Sequence, residues 1–479
     1  MIKSEYFMLD RASRRDPSLK EIKHLTPFTA LSERNSLLSQ STIYWENWRR
    51  RFDKYARTIN SKISALTHIP NSPSITARGV TSASYKDLIS VKGITSKFGS
   101  DEISVIPPES AAIVAELENA GIFTQGKART TEFGVGNNFS SCINPLFPLF
   151  SPGGSSNGSA AAVASGISDV SFGTDAAGSV RRPASFCGAV GIVFSESEEH
   201  RRGIVPVSSS LERIGAVTRS IDDILYLWKH HDLSQIYPQE VSATEGISLV
   251  APYLPKLIDE EIARSFEDYV AQIRAVGFSV ERVNWNIWPK RQYGWKMVAY
   301  ELHQYFDTHR ELFPMDQLRP STRQTIQSGK SISLGEYQDA CAKRDVVVRE
   351  MEDFITGGGF SAILLPVDPY PVSRVPVQTT QHMLPLTPSD QFDPWNYMII
   401  ANLCNLSAIS YPFRVSSRGF PMAVQIFSRA RSEILLMETA KALSDLLPRW
   451  IETHELVARR KVFEEAASDV FSTLNSLTA

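Results

Sequence analysis

The residues of this chain best suited to chemistry lie in one stretch, residues 151–191, which reads SPGGSSNGSAAAVASGISDVSFGTDAAGSVRRPASFCGAVG. Two Gly/Ser-rich turns, Gly153 to Ser159 and Asp175 to Arg181, flank a small-residue helix pattern and a short strand pattern. Each turn offers a hydroxyl. Backbone N–H groups in such turns can hold a developing oxyanion, and small side chains let a reacting group approach closely. The chemistry these residue types suit is acyl transfer. No histidine lies near either turn in sequence to serve as the base, although catalytic groups assemble in space rather than along the chain.

The turns, in this order, resemble the amidase signature family. That family carries GGSSGGS, then TDxGGSIR, then PAxxCGxxG, where this chain reads GGSSNGS, TDAAGSVR and PASFCGAVG. Upstream, residues 79–99 (GVTSASYKDLISVKGITSKFG) are similar to the family's Lys-Asp segment and place Lys86 and Asp87 on that pair. Residues 110–134, 203–224, 401–413 and 419–427 continue the resemblance, which covers roughly residues 40 to 450.

The resemblance implies a Ser-Ser-Lys triad. Ser179 would be the nucleophile, Ser155 a relay on a cis Gly154–Ser155 peptide, and Lys86 the general base and acid. Lys86 ends a strand-like run, Val80 to Tyr85, and burial there would favour the neutral amine. The amides of Ala176, Ala177, Gly178 and Ser179 would form the oxyanion hole. The implied fold is α/β, a large mixed twisted sheet covered by helices on both faces. The implied activity is cleavage of a carboxamide C–N bond in a small-molecule substrate, with no metal or organic cofactor and a homodimer as the family-level expectation. The same acyl-enzyme would serve an amidotransferase subunit or an amide-forming acyltransferase, in which only the second nucleophile differs. A catalytically silent relative would lack a triad member, and none is missing here.

The chain departs from the pattern at five places. Asn157 replaces a glycine, Ala177 replaces the first of two glycines, and Glu212 replaces an aspartate. The Lys-Pro-Thr that follows the Cys-Gly segment in the family is absent, and Arg182 follows the usual Arg181. Arg182 matches a position where malonamidase-like members hold a carboxylate, so an acidic acyl group is an expectation. Residues 154–158 also satisfy G-x-S-x-G, the strand-to-helix elbow of another hydrolase class, which would make Ser156 the nucleophile. That motif needs a strand directly before it, and the proline-interrupted residues 145–152 are poor strand material.

The bulk properties bound the remaining readings. The chain has 479 residues, a net charge of −2 and no long run of like charge, so there is no electrostatic footprint for nucleic acid. No apolar run approaches the roughly 20 residues needed to span a bilayer. Four scattered cysteines without CxxC spacing suggest neither a zinc site nor a disulfide framework, and the reading is a cytoplasmic protein. Residues 1–40 read as an irregular or helical extension, 41–450 as one domain and 451–479 as a helical tail. Within the domain, 231–394 is the expected variable, acyl-pocket region. Its pattern predicts strands at 247–251 and 277–284, and helices at 258–275, 294–313 and 334–356. Residues 366–394 hold seven prolines and read as a loop at the substrate entrance. The spacing of Tyr44, Trp48, Phe52, Tyr55 and Ile59 predicts a helix over 42–66.

Overall fold

The computed structural model describes residues 25–71, 80–135, 140–195, 198–240, 247–254, 258–284, 291–372 and 396–445. The C-terminal tail, most of the Pro-rich segment and the aromatics Trp285, Trp288, Phe392 and Trp395 of the expected acyl-pocket region and its edge lie outside these residues.

Among the described residues, eleven strands form one mixed sheet. In chain order they are β1 (Leu66–His68), β2 (Thr81–Lys86), β3 (Ile122–Ala128), β4 (Val170–Asp175), β5 (Val190–Val193), β6 (Arg213–Thr218), β7 (Ser248–Pro252), β8 (Ser279–Val283), β9 (Ala362–Pro366), β10 (Ser407–Val415) and β11 (Pro421–Ser428). Their spatial order is β1-β3-β2-β4-β6-β5-β10-β11-β9-β7-β8. β2 pairs in parallel with both β3 and β4. The centre, from β4 through β6, β5, β10 and β11 to β9, is antiparallel.

Alternation of side chains across the pleat builds two cores. In β9, Ala362 and Leu364 face one core while Ile363 and Leu365 face the other. The first core is roofed by the helices Ala112–Asn119, Ile221–His230, Glu260–Ala275 and Glu433–Asp445. The second is roofed by Asn157–Ala164, Arg181–Phe186, Leu334–Gly357 and Asn396–Leu403. Ala83 and Tyr85 of β2 enter the first core, so Ser82, Ser84 and Lys86 fall on the opposite face, beneath the second set of helices.

The variable region follows its sequence pattern. Leu334–Gly357 opens on a capping box in which Ser333 and Glu336 satisfy each other's backbone N–H groups. The helix expected over 294–313 runs instead over Arg291–Thr308. Beyond it the chain turns before Pro314, carrying Phe313 onto Phe98 and Phe133 at centroid distances of 5.3 and 5.0 Å. Phe313 therefore extends the apolar periodicity from a turn. The helix Pro320–Ser328, which no sequence pattern announced, packs there through buried Ile326.

A buried ion pair anchors the N-terminal helices Leu31–Leu38 and Thr42–Ile63 to the sheet. Arg34 donates to both oxygens of Asp169 at 2.7 and 2.6 Å and lies over the Trp48 ring. Asp169 also accepts from the Ser82 amide and hydroxyl at 2.9 and 2.8 Å. Arg219 stays 3.6 Å from Asp169, so removing Arg34 leaves the buried carboxylate only partly compensated, and Arg34→Met is expected to cost about 3 kcal/mol, read as a lower urea midpoint. Asp169 lies at the end of β2 and β4 opposite Lys86, and catalytic turnover of the folded fraction should be unchanged.

Candidate active site

The two Gly/Ser-rich turns meet above the C-terminal ends of β2 and β4. The first turn feeds the helix Asn157–Ala164, whose small side chains let it settle directly on the sheet. Gly173 of β4 lies under Ser156, and a Cβ there would come within 2.8 Å of the Ser156 hydroxyl. The Ser156 N–H donates to the Ser179 carbonyl at 3.1 Å, tying one turn to the other. Ser155 is held from behind: its carbonyl accepts the Thr130 hydroxyl at 3.0 Å and the Thr131 amide at 3.3 Å. The Gly154–Ser155 peptide is cis.

Lys86 ends β2 with no solvent exposure. Its Nζ lies 2.8 Å from Ser155 Oγ, 2.8 Å from Thr174 Oγ1 and 3.3 Å from the Thr174 carbonyl. Burial disfavours the ammonium, and the Glu212 and Asp175 carboxylates pull the other way; the balance leaves the amine at about 8. Ser155 is buried, whereas Ser179 is partly exposed. The arrangement joins a buried amine and a buried hydroxyl to a turn whose own hydroxyl can meet a substrate.

Asp175 organises the second turn. Its carboxylate accepts the Gly178 amide at 2.7 Å and the Val180 amide at 3.0 Å, and Arg181 grips it at 2.9 and 3.2 Å. Burial pushes this carboxyl up, but Arg181 and the two amides more than offset it and hold it below the usual range. Arg181 also donates to Gln425 at 3.0 Å and Asn402 at 2.7 Å. Asn402 in turn donates to the Asp175 and Leu211 carbonyls. Asp175, Arg181 and Asn402 thus brace the turn.

The geometry narrows the set of amides expected to form an oxyanion hole. The Gly178 amide is committed to Asp175, so of the four amides expected there it is not available to a substrate. The amides of Ala176, Ala177 and Ser179 have no acceptor among the described residues. Ala177 is not at positive φ, so the alanine is unstrained; Gly178 carries the unusual conformation, at φ 110°. Asn157 likewise needs no left-handed backbone, because it is the first residue of its helix, and its Oδ1 accepts the Gly158 amide at 2.8 Å. Ser156 is fully buried, with its hydroxyl directed to the Thr174 carbonyl at 3.4 Å. No strand directly precedes it, which removes the elbow reading. Arg182 donates to Asp368 at 2.6 Å and stacks on Phe186, so its charge is already answered within the protein.

Two participants escaped the sequence reading. Thr174 lies inside the TDAAGSVR motif, where its place beside Asp175 was the available signal. Glu301, on the helix Arg291–Thr308, accepts from Ser208 at 2.5 Å, the Ser210 amide at 3.0 Å and Tyr337 at 2.8 Å, and it also takes the Ser210 hydroxyl. It fixes the loop leading to Glu212 from a region with no motif. Among the described residues no group of three His, Cys, Asp or Glu is placed to hold a metal ion, and no helix is long and apolar enough to cross a membrane.

A family model described as Amidase matches residues 52–437, and the chain belongs to that family. The sheet and its helical layers are the amidase-signature fold. Among curated proteins, a glutamyl-tRNA(Gln) amidotransferase subunit of Acidobacterium capsulatum is 28% identical over 409 residues, covering 75% of this chain and 84% of that protein. The corresponding protein of Thermus thermophilus is 26% identical over 407 residues, covering 76% and 84%. Among solved structures, a 6-aminohexanoate cyclic dimer hydrolase superposes with a TM-score of 0.80 at 20% identity, over 90% of this chain and 100% of that one. The glutamyl-tRNA(Gln) amidotransferase subunit of Thermotoga maritima gives 0.71 at 23% identity, over 89% and 96%.

Gly178 meets two constraints at once: its backbone is at φ 110°, and an added Cβ would lie 2.3 Å from Met398 Sδ. Gly178→Ala is expected to lower stability by about 1–3 kcal/mol and to misalign the flanking amides. Urea titration together with kcat should show both losses. Near-native values for both would contradict this account of the turn.

Proposed function

We propose that this protein cleaves the C–N bond of a small carboxamide through an acyl-enzyme on Ser179. The observation that carries the reading is the fully buried Lys86 amine at 2.8 Å from Ser155 Oγ, in a turn laced to the one that bears Ser179. As Ser179 Oγ attacks the carbonyl carbon, its proton passes to Ser155 Oγ and the Ser155 proton passes to the Lys86 lone pair. The oxyanion forms against the Ala176, Ala177 and Ser179 amides. On collapse the C–N bond breaks, and the leaving nitrogen takes its proton back from Lys86 through Ser155. An acceptor then attacks the ester with the same proton path in reverse, and with water the product is a carboxylic acid.

A second reading is favoured by the curated relatives: the chain is an amidotransferase subunit that takes ammonia from glutamine for a partner. Its acyl-enzyme is the same, and only the substrate and the fate of the ammonia differ. The Arg182–Asp368 pair favours a neutral group at that point of the acyl site over the acidic one suggested by sequence. Ammonia release by the purified chain, measured with glutamine and with a panel of simple and aryl carboxamides, separates the two readings. Turnover restricted to glutamine supports the amidotransferase role, and turnover of the other amides supports a free-standing hydrolase.

Both readings share one set of expectations. Ser179→Ala should reduce turnover to background, and Lys86→Ala should lower kcat/KM by at least about 10³-fold. The base works only when neutral, so kcat/KM should be low in acid and rise through a midpoint near 8. A profile flat from about pH 5 to 9, with chemistry rate-limiting, would contradict Lys86 as the base.

A further inference from the structure

We infer that Glu212 is a positioning residue of the proton path: its carboxylate fixes the Thr174 hydroxyl as a donor and so leaves the Lys86 lone pair for Ser155. The inference rests on the amide-cleavage reading above. Glu212 is buried just before β6, at the rim of the sheet beside Asp175, whose register partner is Arg213. Its Oε2 accepts the Val207 amide at 2.6 Å. Its Oε1 is buried without a formed hydrogen bond, and the groups acting on the carboxyl include Lys86 and the Thr174 hydroxyl. A buried carboxylate oxygen without a donor is costly, and beside the Val207 and Ser208 amides the Thr174 hydroxyl is the side-chain donor acting on this carboxyl.

Counting hydrogens gives the consequence. A carboxylate only accepts, and Thr174 has one hydroxyl hydrogen. If that hydrogen goes to Glu212, Thr174 Oγ1 can meet Lys86 only as an acceptor, which fits the 2.8 Å contact. A neutral lysine has two hydrogens and one lone pair. The hydrogens are taken by Thr174 Oγ1 and the Thr174 carbonyl, so the lone pair remains toward Ser155 Oγ. When Lys86 receives its proton during turnover, the same carboxylate faces the new charge. The other titratable groups facing the cluster are Asp175, neutralised by Arg181, and Tyr305 on the helix Arg291–Thr308, whose hydroxyl is pushed up to about 12 by burial and by Glu212. Glu301 holds the loop that delivers Glu212 through Ser208 and Ser210.

The test is the pH dependence of the second-order rate constant for labelling Ser179 with a small fluorophosphonate. Labelling forms the Oγ–P bond, expels fluoride and sends the serine proton along the same path. Glu212→Gln removes the charge that opposes Lys86 deprotonation, so the acid limb should move down by about one pH unit. Glutamine can also donate to Thr174 and reverse its hydroxyl, so the plateau rate should fall at least about tenfold. Glu212→Asp should keep the limb and restore most of the rate. Thr174→Val should lower the plateau without moving the limb down. An unmoved acid limb in a natively folded Glu212→Gln protein overturns the inference, and so does a full-rate Thr174→Val. Absence of Ser179 labelling in the wild type would overturn the amide-cleavage reading, and this inference with it.

Discussion

The proposed chemistry depends on one constraint: an amine must stay buried and still be able to accept a proton. Lys86 has lost all contact with water, which alone would drive it far toward neutrality. The opposing carboxylates of Glu212 and Asp175 bring it back to about 8, while two hydroxyls and a carbonyl hold the amine in place. A drier site would leave too weak a base, and a wetter one a permanent ammonium. Lys127 shows that burial alone is insufficient. It is equally buried and also held at about 8, but its hydrogens go to the Ile89 carbonyl and Ser96 hydroxyl, with Asp87 3.7 Å away. Its contacts are with Ile89, Ser96 and Asp87, none of them in the serine-bearing turns, and they make it a brace.

The surrounding architecture keeps Lys86 in that balance. Two-residue alternation in β2 puts Ala83 and Tyr85 into one core and carries Lys86 to the other face. Small residues in the helix Asn157–Ala164 and the bare Cα of Gly173 let the serine-bearing turns sit on the strand ends. The Asp175–Arg181–Asn402–Gln425 network then joins the turn near Ser179 to β11 and to the helix Asn396–Leu403. The turn therefore belongs to the rigid scaffold, as oxyanion stabilisation requires.

Much of this was legible in the sequence because it is local. The two turns, the strand carrying Lys86 and the helices Glu260–Ala275 and Leu334–Gly357 each sit within a few residues of their own signals. What was not legible depends on distant partners. Arg182 looked like a carboxylate clamp until the chain brought Asp368 to it. Gly178 is a local exception, since Asp175, three residues earlier, takes the amide that the resemblance assigned to an oxyanion hole. Glu212 read as a conservative replacement, since no spacing reveals that the loop held by Glu301 turns its carboxyl toward Lys86. Local pattern identifies the parts, and tertiary contact decides which hydrogen bonds remain for a substrate.

The most direct measurement is the titration of the Lys86 amine itself. Lysine labelled at the Cε carbon, with Lys86→Arg used to assign the resonance, reports protonation by NMR without substrate or partner. A working proton path requires a midpoint near 8, well below that of the exposed lysines. A midpoint above about 10, in the range of an unperturbed lysine, would mean that Lys86 is a permanent cation at working pH, and the proton path through Ser155 would fall.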